Sequence, residues 1–549
     1  MFATLFNRRI GDFLSCLALT NGRRFLITTS VMAMLGAPTA FAGTETMPQA
    51  FVQSLAQTAA SDEVIAAWYR ETGYRTLWTT VEDEARRTAL FAALATAQDH
   101  GLPEGRYDLR GLRTAFLAAE TEGDRGRLEV AMTRAYLDWA HDLQSGALSP
   151  KKVDGGILRE IAVTDPRVHL GAIAAGDPGR ALVRLLPQSV VYAQLMKAKI
   201  GLEARIAAGG WGPEVTAEPM GLGSAGPEVV ALRDRLMSMD YLHRSVTMTY
   251  DGALSAAVQQ FQIDHGFDPT GDADRDTLAA LNVAPQERLK SIIVAMERER
   301  WLHIDRSVRH IWVNQPDFTA KIIDHGKTIF QTRVVIGKNV PDQRSPEFSD
   351  QMEFMVINPS WSVPRSITVK EYLPLLQQNA NAVGHLQVLD RAGRVVPRGA
   401  VNFAAYSAAS FPFALRQPPS DGNALGKVKF MFPNPYNIYL HDTPSKSLFD
   451  DKVRAYSHGC IRVADPFEFA HALLSVQSAE AEAEFDRHLN STRETAVKLE
   501  QPVPVHLVYF TAYPTVKGRI AYRDDVYGRD GALYDALEAA GLAPSGVQG

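Results

Sequence analysis

Cysteine, long apolar runs and any large surplus of one charge are all scarce here, and each shortage removes a class of protein. Cys16 and Cys460 are the only cysteines in 549 residues, which excludes a scaffold stapled by several disulfides. Lysine and arginine number 57 against 62 aspartates and glutamates, a net charge of −5. No polycationic face is implied, so nucleic acid is not an expected partner. The apolar run Phe25 to Leu35 is shorter than the roughly 20 residues needed to span a bilayer, and no other segment reads as transmembrane. At 46% hydrophobic residues the chain is globular, with length for about three domains.

What is present at the start is an export pattern. Arg23-Arg24 leads into the apolar run, and the small-residue site Ala40-Phe41-Ala42 precedes Gly43; residues 1–42 are expected to be a signal peptide for the Sec or the twin-arginine route, with a periplasmic product. Cleavage there removes Cys16. Cys460 is then a single thiol in an oxidising compartment, unable to form an internal disulfide and best understood as a reactive group.

The stretch Tyr436 to Arg462, YNIYLHDTPSKSLFDDKVRAYSHGCIR, places two histidines near that thiol. A free thiol is only a few per cent thiolate at neutral pH, so a cysteine nucleophile needs a base or a positive environment. Tyr436 to His441 alternates as a strand does, which puts His441 at a strand end before the turn Asp442-Thr443-Pro444. Ser457-His458-Gly459-Cys460 surrounds the thiol with small residues, as expected where backbone N–H groups approach a substrate carbonyl as an oxyanion hole. His458 is only two residues from Cys460, a spacing that fits a direct hydrogen bond poorly if the segment is extended. His441 is therefore the better general base. The same three residues offer N, N and S to a zinc ion, but no fourth ligand stands out, and neither a metal nor a cofactor is expected.

The strings HDTP and SHGCIRV resemble the active-site pattern of the L,D-transpeptidases of the YkuD-type fold. The resemblance implies Cys460 as nucleophile and His441 as base, with Ser457, His458, Gly459 and Arg462 lining the site. Trp361 and Tyr439 are candidates for substrate walls.

The rest of the chain agrees with this family. From Met47 to Ala208 apolar residues recur at spacings of three and four, and AWYRETGYRTLW and DHGLPEGRYD resemble the helical scaffold of the larger, YcbB-like members. Ser149-Pro150-Lys151-Lys152 matches an S-x-x-K motif, but lacks its companion motifs and is taken as coincidence. Gly209 to Gly226 reads as a linker. Beyond it, three short helices and words such as Ala257-Val258-Gln259-Gln260-Phe261-Gln262 resemble a peptidoglycan-binding domain; Asp272, Asp274 and Asp276 imitate a calcium loop without its glycine and glutamate. Leu289, Ile292, Ile293 and Met296 mark a connecting helix, whose terminal Glu297-Arg298-Glu299-Arg300-Trp301 is expected to be a solvated face. The period then changes to two at Ile311 to Asn314, Thr319 to Ile323, Ile329 to Ile336, Phe354 to Ile357, Val428 to Phe432 and Val503 to Tyr513. Ser345-Pro346 stands where the family pattern has Thr-Pro.

The expected architecture is α+β and multidomain: a helical scaffold (43–212), a three-helix peptidoglycan-binding module (222–284), a connecting helix (285–306), a mostly antiparallel β catalytic domain (307–515) and a C-terminal extension (516–549). An insertion at about 367–426 is expected to cap the site. The activity implied is a peptidoglycan L,D-transpeptidase, and by resemblance a carbapenem target. A tetrapeptide stem is the acyl donor, meso-diaminopimelate on a neighbouring stem is the acceptor, and a 3→3 cross-link results. The alternatives are an L,D-carboxypeptidase, with water as acceptor, and a non-catalytic wall-binding protein.

Overall fold

The computed structural model describes residues 47–543, so the expected signal peptide and Cys16 lie outside the described residues. Two of the scaffold helices begin where side chains satisfy free N–H groups. Asp62 accepts from Ile65 N ahead of Glu63–Glu71, and a capping box of Thr121 and Asp124 opens the 24-residue helix Glu122–Ser145. Leu128, Met132, Tyr136, Trp139 and Leu143 recur along that helix at spacings of three and four and are buried against Phe51 and Leu55.

The three helices read in the next stretch are Pro227–Ser238, Gly252–His265 and Arg275–Asn282, closed over Leu232, Leu236, Leu254, Val258, Phe261, Leu278 and Leu281. Asp274, one of the three alternating aspartates, caps the third helix by accepting from Thr277 N. The module is docked on the sheet-rich part of the chain and its C-terminal extension. Asp264 Oδ2 meets Arg519 Nε at 2.6 Å, His265 stacks on Tyr522 with ring centres 5.5 Å apart, and Lys452 pairs with Asp276.

The connecting helix Pro285–Leu302 corrects one expectation. Glu297 to Trp301 is buried rather than solvated, with Glu297 fully covered and Arg298 and Arg300 each 2% exposed. Each charge is matched. Arg298 binds Glu347 at 2.5 Å and Asp530 at 2.8 Å, Arg300 binds Glu297 at 2.5 Å and Tyr192 Oη at 3.0 Å, and Glu299 binds Arg306 at 2.5 Å. Arg529, at the start of the helix Arg529–Ala539, reaches the second oxygen of Glu347 at 3.3 Å. Scaffold, main sheet and C-terminal helix all meet on this one helix, so the charge pattern that marks a wet surface here marks a junction. Removing one partner of a buried ion pair strands the others, so Glu347→Ala is expected to lower stability by about 3–5 kcal/mol. Denaturant unfolding measures it, with the exposed Glu218→Ala expected to change stability by under about 0.5 kcal/mol.

The main sheet is built from β1 (His310–Asn314), β2 (Thr319–Asp324), β3 (Lys327–Gly337) and β4 (Phe348–Ile357). The insertion contributes β5 (Trp361–Ser362), β6 (Gln387–Leu389) and β7 (Ala414–Gln417). The main sheet resumes with β8 (Val428–Met431), β9 (Leu440–His441), β10 (Ala455–Ser457), β11 (Ile461–Val463) and β12 (Thr495–Val508), and β13 (Ala512–Pro514) with β14 (Ile520–Tyr522) form a closing hairpin. The nine-stranded order is β10-β3-β11-β9-β8-β4-β12-β1-β2, and β2 also pairs with β3, so the sheet curls back on itself. Its pairings are mostly antiparallel; β1–β12, β3–β10 and β9–β11 are parallel. Ile311, Val313, Ile322, Val334, Ile336, Phe430, Leu440, Ile461 and Val463 fill one face together with Phe469 of the helix Pro466–Leu474.

The insertion has a core of its own. Its small sheet runs β5-β7-β6, and Trp361, Val363, Leu373, Leu376, Val388, Phe403 and Leu415 pack inside it. The separately packed unit therefore starts at Trp361, a few residues before the expected 367.

Candidate active site

Strand register brings the chemistry into one row. Lys429 pairs with His441 between β8 and β9, and His441 pairs with Arg462 between β9 and β11, so these three side chains share a face. Their neighbours Phe430, Leu440 and Ile461 point the other way, into the core. One step along the same face lie Tyr439 and Cys460. Cys460 stands just before β11 and Tyr439 just before β9, where Ile461 N donates to Tyr439 O at 3.1 Å, so the thiol adjoins the row that holds His441.

His441 is 5% exposed, and its Nδ1–H donates to the backbone carbonyl of Asp442 at 2.5 Å. That bond leaves the lone pair on Nε2. Burial pushes the imidazole down to about 3, helped by the positive Arg462 and Lys429 and opposed by the Asp442 carbonyl. His441 is consequently a neutral base at any ordinary pH.

Cys460 is half-buried, and its Sγ–H donates to the carbonyl of Asn437 at 3.5 Å. Burial pushes the thiol up to about 11, against the N–H and hydroxyl of Tyr439 and the charge of Arg462, which favour the thiolate. The resting group is a thiol. Among the described residues no hydrogen bond joins it to His441, so proton transfer requires the thiol to leave Asn437 first, as catalytic contacts often tighten only with substrate bound.

The segment before His441 differs from the expected strand. Only Leu440–His441 is extended; the Asn434 side chain accepts from Tyr436 N and Ile438 N and donates to Phe432 O and Ile438 O, tying the preceding residues into a loop. Asn437 takes a left-handed φ of 56° there, a conformation asparagine tolerates, and it supplies the carbonyl that meets Sγ.

Ser457 to Cys460 is a turn rather than an extended segment. The chain runs along one side of β3 as β10, crosses its end at Gly337, and returns on the other side as β11. Gly459 has φ 112°, which only glycine adopts without strain. Ser457 is buried and bridges the turn from inside, accepting from Gly459 N at 3.1 Å and donating to Cys460 O at 2.5 Å. His458 points outward, and its Nε2 lies 2.6 Å from Glu371 Oε1 of the insertion.

Tyr439 neighbours the base, its ring centre 5.6 Å from that of His441, and burial together with Cys460 pushes its phenol up. Trp361 is 9% exposed and belongs to the insertion's core, so it reaches the site through Tyr439. Arg462 is half-buried, and its Nε has no partner among the described residues. Because its charge lowers both the thiol and the imidazole, Arg462→Gln should raise both. Iodoacetamide alkylation of Cys460 at pH 8 is expected to slow by up to about tenfold, one pKa unit's worth; faster alkylation would show that the arginine acts by covering the thiol.

Sequence reasoning missed Lys429, Asn437 and Glu371. Alternation through Val428 to Met431 sets Lys429 opposite Phe430, but only the β8–β9 register aligns it with His441. Asn437 looked like one position of a strand, and Glu371 sits in an insertion whose docking no local pattern reveals.

The sequence is similar to three domain families: "L,D-transpeptidase catalytic domain" over residues 308–497, "Scaffold domain" over 63–198, and "Putative peptidoglycan binding domain" over 225–281. A curated Haemophilus influenzae protein named "Putative L,D-transpeptidase" is 32% identical over 239 residues, 43% of this chain and 48% of that protein. The chain thus spans about half the length of the curated relative it matches. Among solved structures, an L,D-transpeptidase of Xylanimonas cellulosilytica is 14% identical over 54% of this chain and 100% of its own, at a TM-score of 0.17. One of Stackebrandtia nassauensis is 14% identical over 54% and 97%, at 0.21. Scores this low add nothing to the sequence matches.

Proposed function

The chain carries a YkuD-type L,D-transpeptidase catalytic domain together with a scaffold domain and a peptidoglycan-binding domain, and from this premise we propose that it is a periplasmic enzyme forming 3→3 cross-links in peptidoglycan. The observation that carries the reading is a neutral His441, anchored through Nδ1, in a strand paired with the one that directly follows Cys460.

Sγ attacks the carbonyl of the third residue of a tetrapeptide stem while its proton passes to His441 Nε2. A tetrahedral oxyanion forms, to be met by the backbone N–H of Cys460. As the C–N bond breaks, the imidazolium gives its proton to the departing amine of D-alanine, leaving a thioester. The side-chain amine of meso-diaminopimelate on a neighbouring stem then attacks, His441 takes a proton from it, and the thiolate leaves and is reprotonated. Arg462 and Lys429 disfavour the imidazolium, which makes it a strong acid at the moment the leaving amine needs a proton.

Mass spectrometry of muropeptides after incubation of the purified enzyme with tetrapeptide stems tests this. Dimers joined between two third residues are expected. Tripeptide alone would make the enzyme an L,D-carboxypeptidase, and unchanged tetrapeptide would leave a wall-binding protein.

A further inference from the structure

We propose that Ser345 is a positioning residue for the reaction, holding the Gly459-Cys460 peptide from behind so that the Cys460 N–H faces the oxyanion, and that the C-terminal segment carrying Tyr527 and Arg529 holds Ser345 in turn. The inference rests on Cys460 being the nucleophile.

Ser345 is fully buried, and all its polar groups are used. Its hydroxyl donates to Gly459 O at 2.7 Å and accepts from Gly337 N at 2.9 Å. Its backbone N–H donates to Tyr527 Oη at 3.2 Å, and its carbonyl accepts from Arg529 at 3.1 Å. The Tyr527 hydroxyl donates to Gly337 O at 2.6 Å, closing a ring of bonds around the end of β3. Space there is minimal, since a Cβ on Gly337 would come within 1.9 Å of Gln343 O.

The consequence lies in one peptide plane. In a trans peptide the C=O of one residue and the N–H of the next point in opposite directions. Fixing Gly459 O on Ser345 therefore aims Cys460 N–H away from it, and among the described residues that N–H has no acceptor. Ser457 fixes the Gly459 N–H and the Cys460 carbonyl on either side. An unpaired donor on the nucleophile's own residue, held from both flanks, is what a developing oxyanion requires. Ser345 touches neither substrate nor thiol and acts through Gly459.

The test compares two reactions of the same thiol that need no stem peptide. Acylation by p-nitrophenyl acetate passes through a tetrahedral oxyanion; alkylation by iodoacetamide does not. Ser345→Ala is expected to lower the acylation-to-alkylation ratio by about 10- to 100-fold, somewhat below the loss of a whole oxyanion donor, with the alkylation rate within about twofold of wild type. Ser345→Thr, which restores the hydroxyl, should recover the ratio. Should Ser345→Ala not fold, Tyr527→Phe decides, with an expected fall of about threefold or more. An unchanged ratio, or acylation and alkylation falling together, would overturn the inference. If wild type acylates normally yet turns over no stem peptide, the proposed function fails and this inference does not.

Discussion

Cys460→Ala is expected to abolish cross-linking, with turnover down by at least about 10⁴ and no residual activity that titrates with pH, because it removes the proposed nucleophile of the acyl intermediate. Folding should survive. Cys460 is half-buried at the rim of the core rather than inside it, so losing one sulfur costs on the order of 1 kcal/mol. By the family resemblance a carbapenem should add its mass to the wild-type chain and not to the variant, and peptide mapping locates the adduct. Cross-linking retained in Cys460→Ala would remove the nucleophile assignment, and an adduct on Ser149 would move it to the S-x-x-K stretch.

The next largest effect is expected at His441, and it should separate the two histidines. His441→Ala removes the imidazole proposed as the base, so turnover should fall by about 10² to 10⁴. Since His441 is held down to about 3 and the thiol up to about 11, the wild-type alkylation rate should climb with pH toward 11 and show no step near the ordinary histidine value of about 6.5. A step near 6.5 would mean a thiolate–imidazolium pair at rest, which this geometry does not contain. His458→Ala should cost less, and the loss should match that of Glu371→Gln, with the double variant no worse than either because the two side chains form one contact at 2.6 Å. A larger loss at His458 than at His441 would exchange their roles.

These roles show what local sequence can carry. The candidate nucleophile, the candidate base and the succession of helical and sheet regions are readable in the sequence because each is written in a short continuous stretch: HDTP, SHGC, or apolar residues at a helical or strand period. The same local logic misread Glu297 to Trp301, where alternating charge stands for a wet helix face. Its partners Asp530, Glu347 and Tyr192 lie 49 to 232 residues away in the chain for Arg298 and 108 away for Arg300, beyond the reach of any window. Tyr436 to Tyr439 has the composition of a strand, yet one asparagine side chain at Asn434 captures its backbone groups and makes it a loop. Ser345 was noticed only as a departure from Thr-Pro, because its meaning depends on Gly459 and Tyr527 arriving from opposite ends of the domain.

The docked three-helix module has a consequence for where on the wall such an enzyme could act. A binding domain on a free tether samples a sphere, and its partner site is found by diffusion within that sphere. Here Asp264 is held by Arg519 and His265 is stacked on Tyr522, so under the proposed function the module and the thiol form the two marks of a ruler. A glycan strand gripped at one mark presents to the other only those stem peptides at a fixed offset along or across the strand. Spacing of cross-links would then be a property of the folded chain rather than of the linker at residues 209–226.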